Sequence, residues 1–171
     1  LPTATPTPSP KRVFATGKTY DGNLEGLSGA DSKCQERADF AKLGGTWKAW
    51  LSTTTINAKD RINDGRYIRI DGQPIADNKA DLTDESIINQ ININESRNLV
   101  GGLSSDVWTA TKADGTVQGT TICSNWTTND KSGSVCNNKL AAFNGSTTFS
   151  NKWWTSSDTS SCCNFNRLYC F

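Results

Sequence analysis

Histidine and methionine are both absent from this 171-residue chain. Without histidine there is no Ser-His-Asp or Cys-His nucleophilic arrangement and no zinc site with an imidazole ligand. An excess of charge of one sign is missing too. Eighteen Lys and Arg stand against 17 Asp and Glu, a net charge of +1, so there is no electrostatic case for nucleic acid, a membrane surface or a polyanion. No apolar run approaches the roughly 18 residues of a membrane-spanning helix. The start at Leu1 instead of Met is compatible with removal of a signal peptide or anchor. Carboxylates such as Asp81, Asp84 and Glu85 remain for acid–base work, but nothing in the sequence places them in a cleft, and an enzyme is not expected. With 35% hydrophobic residues, one domain with a single core of moderate size is expected.

What the chain has instead is a C-terminal third of distinct composition. From Thr120 to Phe171 roughly half the residues are Ser, Thr or Asn, and five of the six cysteines fall there with Trp126, Trp153, Trp154, Tyr169 and Phe171. Short polar side chains on a frame of tryptophan and cystine make a recognition surface. The cysteines, including the adjacent Cys162-Cys163, lack the CxxC or His spacing of a metal site. Disulfides are therefore expected, and with them an exported, extracellular or cell-surface protein.

Residues 1–10 alternate Pro and Thr and read as an extended linker or stalk, leaving 11–171 as the domain. A strand is expected at Lys11–Thr16. A helix follows from an N-cap at Ser28, with Asp31 favouring its N-terminus, to about Leu43, where Gly44-Gly45 stops it; Cys34, Ala38 and Ala41 lie on its buried face. Trp47–Leu51 alternates like a strand, and Asn57–Ile62 suits a short second helix. Tyr67–Ile70, Asp71-Gly72 and Gln73–Ile75 form a hairpin. Residues 76–102 read as a long irregular excursion that could hold one short strand. The dipeptides Trp108-Thr109, Trp126-Thr127 and Trp154-Thr155 mark the later strands, and Arg167–Phe171 closes the chain as a terminal strand. Trp47, Trp50, Trp108, Trp126 and Trp154 are expected in the core. If Trp154 is buried on a strand, its neighbour Trp153 faces solvent, where it would serve as a binding anchor with Phe149 and Phe165 behind it.

The order of strand, cysteine-bearing helix, second helix, long loop and cysteine-bearing last strand resembles a C-type-lectin-like domain, an α+β fold of two short helices, small antiparallel sheets and long loops. The chain is most similar to bacterial and archaeal members of unassigned function at Thr19–Leu24, Leu27–Asp31, Cys34-Gln35, Gly45–Leu51, Ala76–Asn78, Val107–Thr109 and Arg167–Phe171. The resemblance implies a cystine from Cys34 to Cys170 and a second from Cys123, at the end of a core strand, to a cysteine shortly before the last strand, taken as Cys162. The pairing of Cys136 and Cys163 stays open, and they are assigned to each other.

Members of this kind use the loops before the last strands as a ligand face, in some cases as variable proteins rewritten by diversity-generating retroelements. The resemblance thus implies a ligand face at 144–166, with Asn144, Thr147, Phe149, Asn151, Trp153, Ser156, Asp158, Ser160, Asn164, Phe165 and Asn166 as its residues, and Asn125 and Asn129 as neighbours. The partner would be a protein or a cell-surface ligand, bound by a monomer. Sugar lectins of this fold hold calcium with Glu/Gln-Pro-Asn/Asp and Trp-Asn-Asp motifs. Here Gln73-Pro74-Ile75 lacks an oxygen ligand, and Trp126–Asp130 and Trp154–Asp158 only approximate the second motif. No cofactor is expected, with a structural calcium in the 76–102 loop left open.

Overall fold

A computed structural model describes residues 8–171. The stalk expected at 1–10 therefore lies outside the described residues over 1–7, and residues 8–10 are exposed without regular structure. The triplets Val13-Phe14-Ala15 and Leu168-Tyr169-Cys170 are apolar at every position. They fall on strands β1 (Lys11–Ala15) and β9 (Arg167–Cys170), which pair antiparallel through Phe14–Cys170 and Ala15–Tyr169. These two ends of the domain form the middle of a seven-stranded mixed sheet. Between them in the chain come β2 (Tyr67–Arg69), β3 (Pro74–Ala76), β4 (Asp106–Trp108), β5 (Lys131–Ser132), β6 (Val135–Cys136), β7 (Ala141–Ser146) and β8 (Asp158–Ser161). The sheet order is β3-β2-β1-β9-β4-β7-β8, with β5-β6 as a separate hairpin. The β1–β2 and β4–β9 pairs are parallel, so the small antiparallel sheets expected from the resemblance give way to one mixed sheet.

A run of consecutive apolar residues in the central strands means burial on both faces, and two cores result where one was expected. Phe14, Trp108, Leu168 and Cys170 point to one side, with Cys34, Ala38, Trp47 and Trp126. Val13, Ala15, Val107 and Tyr169 point to the other, with Trp50, Ile75, Leu82, Ile91 and Trp154. The second core is closed by the 76–102 segment, which holds one short helix, α2 (Lys79–Leu82), and no strand. Its anchor is Glu95, almost fully buried. This carboxylate accepts from the Arg37 guanidinium (Nε at 2.8 Å) and from the Gly17 N–H at 2.7 Å.

Helix α1 spans Gly26–Phe40 and covers the first core with Ala30, Cys34 and Ala38, while Ala41 is only half-buried. Ser28 is not its cap. The chain enters through Glu25 and Gly26, both with positive φ, so Ser28 already lies in the first turn. Asp31 serves tertiary contacts instead, accepting from the Ala49 N–H at 2.9 Å and pairing with Arg61 at 2.6 Å. The helix stops before Gly44-Gly45. Lys42 takes the left-handed conformation, and the bonds Leu43 N–H to Ala38 O and Lys42 N–H to Asp39 O close a Schellman end. Residues 47–51 run extended beside β9 with the single bridge Ala49–Cys170, short of a full strand. The short second helix is a 3₁₀ turn, Ala58–Arg61, and the 67–76 hairpin forms as expected.

All three cystines form: Cys34–Cys170 and Cys123–Cys162, each with Cα atoms 5.5 Å apart, and Cys136–Cys163 at 5.8 Å. Cys123 is not at a strand end. It sits in a left-handed turn, Ile122–Trp126, in which all five residues have positive φ. Such backbone is unfavourable for residues other than glycine, and three ties hold it: the cystine, the buried Trp126 indole donating to Ser52 O at 2.8 Å, and Asn125 Oδ1 accepting from the Thr54 N–H. Gly22 has to be small here, because a β-carbon would lie 2.6 Å from Cys123 Sγ and 3.0 Å from Cys162 Cβ.

Candidate functional site

The three Trp-Thr dipeptides fall to the core, and only one of them is on a strand. Trp108, Trp126 and Trp154 are fully buried. Thr109 and Thr155 join a buried hydroxyl network in which Thr109 Oγ1 donates to Thr155 O at 2.5 Å and the Trp50 indole donates to Thr155 Oγ1 at 2.8 Å. Trp153 is 44% exposed, as expected, but for a different reason: residues Lys152–Trp154 form a 3₁₀ turn, not a strand. Asn151 caps that turn by accepting from the Trp153 N–H, and the Trp153 ring meets half-buried Phe149 edge-to-face at 5.2 Å.

The residues expected on the ligand face divide by exposure. Asn151, Trp153, Asp158, Asn164 and Phe165 are exposed, and Phe149 and Ser156 are half-buried, with Ser156 donating to Gln118. Asn144, Thr147, Ser160 and Asn166 are buried and are not on an open face. Asn144 and Ser160 lie on β7 and β8, facing the interior of the sheet. The Thr147 N–H is held by Ser105 O, and Asn166 pairs its backbone with Tyr20 in both directions. Of the expected neighbours, Asn125 supports the left-handed turn and Asn129 donates to Asp21 at 3.0 Å.

What the fold does bring together is a cleft of about 330 Å³ with Leu103, Ser104 and Asp106 on one side and Cys163 to Asn166 on the other. Its first wall is a 3₁₀ turn, Gly102–Ser104, leading into β4. Arg167 braces the back of that turn, donating to Ser104 O at 3.0 Å and to Thr16 O and Gly17 O. The Cys136–Cys163 cystine tethers the opposite wall to β6. Leu103 stands fully open at the rim and Phe165 is largely exposed, with Lys131 Nζ 4.9 Å over its ring. Asn166 is only 4% exposed, and its Nδ2 has no hydrogen-bond partner.

The Asp106 carboxyl makes no salt bridge among the described residues. Burial first, and Asp158 second, raise it above the usual carboxylate value of 3.8. The register explains that coupling. Asp106 is opposite Ser146, and Asp158 is opposite Asn144 two residues along β7, so both carboxylates project from the same face of the sheet. Two smaller clefts, about 170 and 140 Å³, adjoin one another around Phe171 and share Lys11 and Thr46.

Sequence reasoning reached Asn164, Phe165 and Asn166 but missed Leu103, Ser104 and Asp106, which lie some 60 positions earlier. The bulky apolar Leu103 within Gly101-Gly102-Leu103-Ser104-Ser105 was the one available signal. The carboxylates Asp81 and Asp84 bond locally, to the Asp77 and Ser86 amides. Among the described residues no group of three or more Asp, Glu, Cys or His side chains converges as a metal site would require.

The family described as "protein of unknown function (DUF1554)" matches residues 17–141. The chain belongs to it. No curated protein matches the chain. The DUF1554 match takes in the Leu103–Asp106 wall of the cleft and ends at the start of β7. The opposing wall and the central strand β9 thus lie beyond the matched stretch of this DUF1554 chain.

Proposed function

We propose that this is an exported ligand-binding domain of receptor or adhesion type, C-type-lectin-like in fold, which acts by binding and not by catalysis. Its ligand site is the cleft between Leu103–Asp106 and Asn164–Asn166, with the Phe149–Trp153 pair as a further exposed aromatic anchor. One observation carries the reading: an open Leu103 and an open Phe165 face each other across a wall of Asp, Ser and Asn side chains that is braced by Arg167 and tethered by a cystine. Exposed apolar anchors beside short polar groups on a stiff support are the composition of adaptable recognition surfaces. Stiffness limits the ordering entropy lost on association. Three cystines favour an oxidising compartment, and no helix among the described residues is long and apolar enough to cross a membrane.

The partner we propose is a protein or other cell-surface molecule. The segment 144–166 is also proposed as the diversified part of a retroelement variable protein. In support, Trp154-Thr155 and Leu168-Tyr169-Cys170 form a buried frame, while Asn151 and Trp153 just before it and Asn164 and Phe165 within it are exposed. The flanking DNA tests that part: a near-repeat of the coding segment together with a reverse transcriptase gene is expected, and the absence of both removes it.

The binding reading is tested by screening the oxidised domain against cell surfaces and displayed proteins, with Phe165→Ser and Trp153→Ser beside the wild type. Both side chains are solvent-exposed, so their loss should leave the melting temperature nearly unchanged. Phe165→Ser is expected to weaken binding at least about tenfold, as for an interface anchor. Unchanged binding by both variants would refute the site.

A further inference from the structure

The adjacent cysteines 162 and 163 are bonded to different parts of the molecule. Cys162 is fully buried and joined to Cys123; its N–H donates to Leu140 O, and its carbonyl accepts from the Gly22 N–H. Cys163 lines the cleft and is joined to Cys136. The four cysteines of the other two cystines are 0% exposed, whereas Cys163 is 8% exposed and Cys136 is only half-buried. One cystine of the three is therefore open to attack from solvent. Its Cys136 end also belongs to an element with few other ties. Strands β5 and β6 pair only with each other, and Ser132 to Val135 are all exposed. A two-stranded ribbon of this size is not stable by itself. The base of the hairpin is held by the Lys131–Asp21 pair at 3.3 Å and by Asp130 Oδ2, which accepts from the Leu140 N–H at 2.8 Å. Asp130 and Asn138, flanking it, have φ of 52° and 53°, a left-handed conformation less favourable than the right-handed one for any residue but glycine. Beyond that base, the Cys136–Cys163 bond is the one covalent hold on the hairpin.

We propose that Cys136–Cys163 is a redox latch. A dithiol reductant opens it while the other two cystines stay closed, which frees the β5–β6 hairpin and takes the outer support from the Cys163–Asn166 wall of the cleft. One thiolate of the dithiol attacks Cys136 Sγ, the S–S bond breaks, and Cys163 leaves as a thiolate that takes a proton from water. The second thiolate of the reductant attacks its own sulfur in the mixed disulfide and releases Cys136, which is protonated in turn. The reductant ends as a disulfide and the cystine as two thiols, a two-electron exchange. Exposure of the attacked sulfur and the loose hold on its hairpin both favour reduction at this bond first. The fold stands when the latch opens, because Cys162–Cys123 and the mutual backbone bonds of Asn166 and Tyr20 still fix the two ends of the wall. The effect on binding rests on the cleft as the ligand site. A slackened wall has more ordering entropy to lose on association, so the closed form binds more tightly.

The test equilibrates the full oxidised chain with a series of dithiothreitol concentrations, blocks free thiols with N-ethylmaleimide and locates the labelled cysteines by peptide mass spectrometry. Cys136 and Cys163 are expected to be labelled together at a concentration at least about tenfold below that which labels any of the other four. In the chain reduced at this bond alone, amide exchange should quicken over 132–137 and stay unchanged from Leu168 to Cys170. Labelling of all six cysteines together, or of Cys34 or Cys123 first, overturns the latch, as does unchanged exchange over 132–137. The double variant Cys136→Ser, Cys163→Ser supplies the open form without reductant and should reproduce the exchange of the reduced chain. Its failure to fold would also overturn the latch, since the bond would then belong to the scaffold. Binding to a partner found by screening separates this proposal from the cleft reading. The open form is expected to bind at least about threefold more weakly. If the latch opens selectively but neither opening nor Phe165→Ser alters binding, the latch stands and the cleft falls. If Phe165→Ser abolishes binding while the three cystines are reduced together, the cleft stands and the latch falls.

Discussion

A β-carbon at position 145 would overlap the Trp154 carbonyl and lie 2.7 Å from Thr155 Cα. Gly145 on β7 therefore sets how closely the 152–155 turn can pack on the sheet, and with it the burial of Trp154 and the exposure of Trp153. The neighbour in that clash is backbone, which cannot swing aside. Gly145→Ala is expected to destabilise the domain by about 3 kcal/mol, at the upper end of overpacking effects. A lowered midpoint in urea with an unchanged slope checks it, and an unchanged midpoint contradicts it. Residue identity alone left the asparagines ambiguous. Asn151 and Asn164 are exposed whereas Asn144 and Asn166 are buried, because the place each takes in the fold decides: Asn151 and Asn164 stand in turns, Asn144 lies on β7, and Asn166 is bonded through its backbone to Tyr20.

The segment between β3 and β4 shows what an irregular element can do. Its sequence lacks a helical or strand period, yet Leu82, Ile87 and Ile91 enter the second core, and Glu95 ties it to α1 and to the turn after β1. The Arg37–Glu95 pair is among the most buried ion pairs of the fold. Removing one partner of such a pair leaves an uncompensated charge, an effect of about 3–5 kcal/mol. Glu95→Ala should show a loss of that size in chemical unfolding, with faster amide exchange at Ile91 and Ile93. A loss no larger than that of the exposed Glu36→Ala would contradict it. The same logic reaches the cleft, since the second wall hangs on one cystine and the first on Arg167.

For the molecule as a whole, the cystines divide by reach. Cys34–Cys170 spans 136 residues, Cys123–Cys162 spans 39 and Cys136–Cys163 spans 27. Chain-entropy reasoning gives up to about 5 kcal/mol for the first and about 4 kcal/mol for the others. Burial widens the gap, because Cys34 and Cys170 sit inside the first core while Cys136 is at the surface. Replacing each pair with alanine should lower stability most for Cys34–Cys170 and least for Cys136–Cys163, while the last replacement should still loosen the cleft wall. Denaturant midpoints of the three double variants check the order, and the reverse order would contradict it.

Local chemistry determined a good deal by itself. The apolar triplets of β1 and β9, the Asp71-Gly72 hairpin, the helix bearing Cys34 and the five core tryptophans were legible because each rests on contacts close in sequence or on sheer apolar bulk. Paired with a resemblance, the cysteine pattern also led to the cystines. Tertiary structure alone decided the rest. Sheet order joined the two ends of the domain, divided one expected core into two, and set Asp106 and Leu103 against Asn164–Asn166. Those meetings depend on strand register and on chain crossings of some 60 residues, and a side chain's neighbours across such a distance leave no period in the sequence to read.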